Sequence, residues 1–158
     1  MTVTAACELC SGPGGVLLWQ DDRLRVVRIE DANYPGFLRV VWQAHVREMS
    51  DLSPIDRTHL FDVVITAEQA LRELLAPDKI NLASLGNMTP HLHWHVIPRF
   101  RGDPQFPDPV WAGPRSGARS GAPVGLPMPA ASFEQAVAGV LAQRYPVRPS
   151  TQLPRAPA

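Results

Sequence analysis

Between residues 91 and 99 the chain reads His91-Leu92-His93-Trp94-His95-Val96-Ile97-Pro98-Arg99, and no other stretch restricts the fold as sharply. Three of the five histidines in the chain fall here at i, i+2 and i+4, with apolar residues in the gaps. On a β-strand, successive side chains point to opposite faces. The alternation therefore predicts a strand with His91, His93 and His95 on one face and Leu92, Trp94 and Val96 turned into a core. A helix would scatter the imidazoles around its circumference. Three imidazoles in a row make a poor core and a good site.

The other segments predict the frame that would hold such a strand. Gly12 to Gly15 reads as a turn, and Val16-Leu17-Leu18-Trp19 as a first strand leaving at Asp21-Asp22. Leu24 to Ile29 is a β-branched second strand, broken by the turn formers of Asp31 to Gly36, and Phe37 to Trp42 is a third. Strands this short and close favour an antiparallel meander over parallel units joined by helices. A long helix is predicted from Pro54 to Leu75. Ser53 caps it, Pro54 suits the first helical position, and Asp56 completes a capping box. Leu60, Val63, Val64, Ala67, Leu71, Leu74 and Leu75 then form an apolar stripe that would lie on a sheet. Ile80 to Leu85 is a fourth strand, paired as a hairpin with the histidine strand through Gly86 to Pro90, so Asn81 or Ser84 would share the histidine face. Ser132 caps a short last helix with Phe133, Val137, Val140 and Leu141 on one side. The fold class is α+β, with about five antiparallel strands, one long helix and one short one.

With 158 residues the chain is one domain with enough material for a core. Fifteen basic residues balance fifteen acidic ones, so no net field draws it to nucleic acid or to a membrane surface. A small phosphorylated ligand needs only a local cluster of donors. No apolar run approaches the roughly 20 residues that span a bilayer, and residues 1–6 have neither the basic region nor the apolar core of a secretory signal. The expectation is a cytoplasmic protein, in which Cys7-Glu8-Leu9-Cys10 suggests a metal or redox pair rather than a disulfide framework.

A neutral imidazole, with an unperturbed pKa of about 6.5, can act as nucleophile, base or ligand at pH 7. One imidazole fixed through its other nitrogen can attack phosphorus while a second stabilises the non-bridging oxygens, giving a nucleotidyl-histidine that water resolves. Alternate strand residues, roughly 7 Å apart on one face, supply that geometry. The competing reading is a bare metal site, since alternate histidines on a strand also bind zinc or iron, but no carboxylate follows His95 at a suggestive offset.

Residues 91–97, His-apolar-His-apolar-His-apolar-apolar, match the signature of the histidine triad (HIT) family of nucleotide hydrolases and transferases, and Pro98-Arg99 continues the match. Pro35-Gly36, His45-Val46 and Asp51-Leu52-Ser53 before the long helix also resemble that family's layout, so the resemblance covers roughly residues 5–111. Composition predicts a flexible Gly/Pro/Ser-rich loop at 112–131 and a disordered tail at 146–158, on either side of the helix at 132–145, all following the catalytic domain over 1–111 that the resemblance implies. The resemblance also implies a purine nucleotide as substrate, His93 as nucleophile, His95 on the transferring phosphate, His91 orienting the histidines, no catalytic metal, and a homodimer. A diadenosine tetraphosphate hydrolase is one member activity of that kind. An acidic residue, Glu30 or Asp31, would hold the ribose, and Asn81, Asn87 or Thr89 would help bind substrate.

Three departures from the family pattern stand out. Pro35-Gly36-Phe37-Leu38 places phenylalanine where the family has a supporting histidine. The loop before the triplet is shorter than usual and lacks the family's glycine- and glutamine-containing segment, and the turn at Glu30-Asp31 differs in length. The cysteine pair has a family reading too. Some bacterial triad proteins close a zinc site with the histidine before the long helix and the first histidine of the triplet. Here that resemblance implies structural zinc on Cys7, Cys10, His45 and His91.

Lesser candidates complete the reading. His59 is expected on the exposed side of the long helix, and Trp111 could reach the site or a partner. Arg99 and Arg101 could face phosphate, while the 115–119 stretch is a solvated loop. Leu24, Val26, Phe37 and Leu38 could wall a nucleobase or simply be core.

Overall fold

The computed structural model describes residues 7–113 and 125–146. The tail, most of the Gly/Pro/Ser-rich loop and its arginines lie outside the described residues. One five-stranded sheet organises the chain, in the order β1-β2-β3-β5-β4 and antiparallel throughout. The strands are β1 (Val16–Gln20), β2 (Leu24–Arg28), β3 (Leu38–Trp42), β4 (Lys79–Ala83) and β5 (His93–Arg99). β1, β2 and β3 form the expected meander. The chain then leaves through a 3₁₀ turn at Met49–Asp51 and the helix α2 (Pro54–Leu75), and returns to pair β4 with β5. Two features were not anticipated: that 3₁₀ turn, and a single helical turn α1 (Glu8–Ser11) right after Cys7. The last helix, α3 (Ala130–Arg144), starts two residues before Ser132, with Pro129 rather than Ser132 at its N-cap.

The two faces of the sheet have different jobs. Leu24, Val26, Leu38, Val40, Leu92 and Val96 turn to one side and pack against Leu60, Val63, Val64, Ala67 and Leu71 of α2 and Phe133, Val137 and Leu141 of α3. Each such side chain taken out of water stabilises the fold by about 1.5–3 kcal/mol. Of the four residues left between nucleobase wall and core, Leu24, Val26 and Leu38 are thus core, and only Phe37 faces the other way. The predicted α2 cap forms: Ser53 Oγ accepts from the Asp56 backbone N–H at 3.2 Å and donates to the Asp56 carboxylate at 2.7 Å. At the foot of β3, Gly36 has φ +83°, and a Cβ there would sit 2.5 Å from Leu75 Cδ1, so the Pro35-Gly36 turn can approach α2 only without a side chain.

The opposite face carries the polar residues. Register places Arg39 opposite His95 and Val41 opposite His93 across β3–β5, and Ala83 opposite His95 across β4–β5. Arg25 and Val27 of β2 fall in the same layer through their pairing with Val41 and Arg39. α1 and the turn after it pack over part of this layer: Cys7 and Leu9 cluster with Val41.

Candidate functional site

Regular pairing of β5 begins at His93, so only His93 and His95 sit on the strand, and His91 occupies the bend before it. This bend is nonetheless fixed. The Leu92 N–H donates to the Val46 carbonyl at 2.7 Å, and the Leu92 carbonyl accepts from the Trp42 N–H at 3.1 Å. His91, 1% exposed, then serves two neighbours with different parts of itself. Its backbone carbonyl accepts from Nδ1–H of His93 at 2.6 Å, which fixes the tautomer of His93 and leaves Nε2 as its basic nitrogen. The side chain points the other way, Nε2–H donating to the Trp42 carbonyl at 2.6 Å and Nδ1 facing Cys7 Sγ at 3.4 Å.

His93 and His95 stack obliquely, with ring centroids 4.9 Å apart and planes at 30°. Phe37 packs on the other side of His95 at 5.4 Å. Burial lowers the pKa of both imidazoles, and His95, with the charges of His93 and Arg39 adding to burial, is pushed down to about 4. His95 Nε2 is buried without a hydrogen-bond partner. Both rings line a cavity of about 370 Å³ whose remaining walls are Glu8, Arg39 and the segment from Leu85 to Thr89. A neutral base with a fixed tautomer beside an unpartnered imidazole is suited to attack on an electrophile and to binding its oxygens.

The other expected residues divide. Asn87 and Thr89 line the cavity, and Thr89 Oγ1 donates to the Glu8 carboxylate at 2.9 Å. Asn81 shares the histidine face, as the hairpin predicted, but its side-chain oxygen already accepts from Arg99 at 2.6 Å. Glu30 and Asp31 are outside this cavity: Glu30 is exposed and pairs with Arg28 at 3.2 Å, and Asp31 closes its own turn by accepting from the Asn33 N–H at 2.8 Å. Arg99 does not face a phosphate. It is 2% exposed and grips Asp103 through two bonds of 2.7 and 2.9 Å, with Asn81 and the Asp108 carbonyl taking its remaining donors. Arg101 pairs with Asp78 at 3.1 Å. His59 is not a bare surface residue, since its Nε2 meets Asp21 at 2.6 Å. Trp111 is 64% exposed and is not among the residues that line the histidine cavity.

Arg39 is the site residue that the sequence reading missed. It sits mid-strand in an apolar run, where a charge reads as a solvent-facing residue. The signal was the alternation of Phe37, Arg39 and Val41 against Leu38, Val40 and Trp42, which assigns Arg39 to the polar layer once β3 is placed beside the histidine strand.

Next to the cavity, Cys7, Cys10, His45 and His91 form a cluster that could hold a metal ion, their ligand atoms all lying within 4.8 Å of one another. Cys10 Sγ is 3.3 Å from His45 Nδ1 and 3.5 Å from His91 Nδ1. Tetrahedral zinc with bonds of about 2.3 Å to sulfur and 2.0–2.1 Å to nitrogen needs ligand atoms roughly 3.5 Å apart. The donation from His91 Nε2–H to Trp42 also leaves Nδ1, the nitrogen facing the thiols, unprotonated as a ligand must be.

Comparison with known proteins agrees with this architecture. Residues 14–102 match the family model described as HIT domain. A histidine triad protein of Bradyrhizobium japonicum is 29% identical with a TM-score of 0.62, over 83% of this chain and 90% of that one. A histidine triad protein of Marinobacter aquaeolei is 26% identical with a TM-score of 0.68, over 90% of this chain and 98% of that one. Among curated relatives, an asymmetrical bis(5'-nucleosyl)-tetraphosphatase of Schizosaccharomyces pombe is 31% identical over 74 residues, 44% of this chain and 41% of the relative. An AP-4-A phosphorylase of Mycobacterium tuberculosis is 31% identical over 78 residues, 46% of this chain and 40% of the relative. The chain thus spans about two fifths of the length of the curated relatives it matches. With the family model covering more than half of its residues, the chain belongs to the HIT domain family.

Proposed function

We propose that this protein is a nucleotide phosphoanhydride or phosphoramidate hydrolase that works through a covalent nucleotidyl-His93. The observation that carries the proposal is the bond from His93 Nδ1–H to the His91 carbonyl, which leaves Nε2 basic on a residue lining the cavity. In the proposed reaction the Nε2 lone pair attacks the α-phosphorus, and the bond to the leaving group breaks with its electron pair going to that group. Water then attacks the same phosphorus and releases the nucleoside monophosphate and neutral His93. His95 contacts the non-bridging oxygens, Asn87 or Thr89 receives the leaving group, and Glu30 or Asp31 holds the ribose of a purine nucleotide from outside the histidine cavity. No step is assigned to a metal. The substrates named for the two curated relatives, a dinucleoside tetraphosphate and AP-4-A, make dinucleoside polyphosphates the first class to test.

The cysteine–histidine cluster is assigned to structural zinc on the fit of its donor set. A homodimer is the proposed assembly, supported by Ile55 and Phe61, which α2 leaves 76% and 42% exposed. Phe37, packed on His95 where the family has a supporting histidine, favours a second reading in which nucleotide binds with little turnover.

A turnover screen on dinucleoside polyphosphate, aminoacyl-adenylate and phosphoramidate substrates separates the readings. Release of nucleoside monophosphate, reduced more than about 10³-fold in His93→Ala, is the expected result. No product from any class, with His93→Ala indistinguishable from wild type, overturns hydrolysis. Tight monophosphate binding without turnover selects the second reading.

A further inference from the structure

We infer that Arg39 is a phosphate-binding residue of the histidine cavity, supplying the fixed positive charge that anchors the phosphoryl group presented to His93. The inference deepens the phosphate-transfer reading of this site and rests on it for the identity of the ligand.

Three arginines lie on the histidine face, and two have their donors engaged inside the protein. Arg25 donates to the carbonyls of Leu9, Gly12 and Pro13 and to Gln43, at 2.6–3.1 Å. Arg99 is engaged by Asp103, Asn81 and the Asp108 carbonyl. Arg39 differs. Its Nε is buried with no hydrogen-bond partner, and among the described residues no carboxylate forms an ion pair with it. A half-buried guanidinium in that condition costs free energy that the field of the Glu8 carboxylate returns only in part, burial outweighing it. Such a group calls for an anion from outside.

The placement says where that anion sits. Arg39 is the direct cross-strand partner of His95, and such partners on one face have Cβ atoms about 4.5–5.5 Å apart. Its side chain lines the same cavity as His93 and His95. The turn after α1 confines the guanidinium from above: a Cβ on Gly14 would lie 3.8 Å from Arg39 Nη1 and only 2.4 Å from Leu9 Cδ2. Glu8 is the one carboxylate in the cavity wall; its hydrogen bond comes from Thr89, and it meets Arg39 through its field without an ion pair. An arginine fork matches two phosphate oxygens at once, which a lysine ammonium cannot do.

Calorimetry on the full chain tests this with inorganic pyrophosphate and AMP as ligands, on wild type, Arg39→Met and Arg39→Lys, each checked for an unchanged melting profile. Arg39→Met keeps the stem and removes the charge, and it is expected to weaken both ligands 10- to 100-fold. Arg39→Lys should restore part of the loss for both, and adenosine should bind wild type and Arg39→Met alike. The assignment is overturned if Arg39→Met binds pyrophosphate and AMP like wild type, if adenosine weakens as much as AMP, or if wild type binds neither anion. Should Arg39→Met unfold, Arg39→Lys decides alone: a loss of at least about threefold for both anions with adenosine unchanged upholds the assignment, and wild-type affinity overturns it. The hydrolase reading fails separately, on the absence of nucleoside monophosphate release. Arg39-dependent anion binding without turnover would leave this anchor standing and remove the hydrolase.

Discussion

At the scale of single residues, polar groups on the histidine face are saturated where they hold structure, whereas two that meet the cavity, Arg39 Nε and His95 Nε2, have no hydrogen-bond partner. Arg99 and Asp103 show the first condition. Both are at most 5% exposed, and Asp103 also accepts from the backbone N–H groups of Gln105 and Phe106 at 3.0 and 2.7 Å. Asp103→Asn would leave a buried guanidinium without its counter-charge, at an expected cost of about 3–5 kcal/mol. Urea denaturation with a conserved slope checks it; a change under about 1 kcal/mol would mean that the pair is replaceable by neutral hydrogen bonds. The sequence offered no hint of this pairing, because Asp103 lies in an irregular segment whose path periodicity does not describe. The same limit hid the partner of His59, whose carboxylate comes from the β1–β2 turn at Asp21.

At the scale of elements, the legible parts were those with long repeats. α2 announced itself through its cap and an apolar stripe from Leu60 to Leu75, and the meander through three short apolar runs set between turn formers. The four-residue α1 was not legible, since one helical turn has no periodicity to display. Its position follows from Cys7 and Cys10 at its two ends, which bring it to His45 and His91. With zinc assigned to that cluster, removing the metal should unpin α1 and the turn behind it from β3. Chelation at pH 7 under reducing conditions is expected to lower the melting temperature by several degrees and to raise amide exchange in residues 7–15, leaving α2 protected. Equal exchange with and without chelator would show that α1 is held by Leu9 and the Arg25 contacts alone.

For the molecule as a whole, one layer of apolar packing supports a polar layer that is also largely buried, and this sets its response to acid. His91, His93 and His95 are all held below the ordinary imidazole range by burial, so the folded chain binds fewer protons than the unfolded chain between pH 6.5 and about 4. Their contribution to stability is therefore complete above about pH 6.5 and is lost progressively as pH falls toward 4. Urea midpoints measured from pH 7.5 to 4.5 should fall, and His95→Gln should show a shallower fall than wild type. Parallel profiles for the two proteins would place the acid sensitivity elsewhere.

The bend at His91 has an evolutionary consequence. Position 91 meets the metal cluster with an imidazole, but it meets His93 only with a main-chain carbonyl, which every amino acid possesses. A lineage could therefore exchange the side chain at 91, and abandon the cluster with it, while the tautomer at 93 kept its acceptor. The two sites are neighbours in space yet separable by descent, and the loss of the cysteine pair need not carry the loss of the histidine cavity with it.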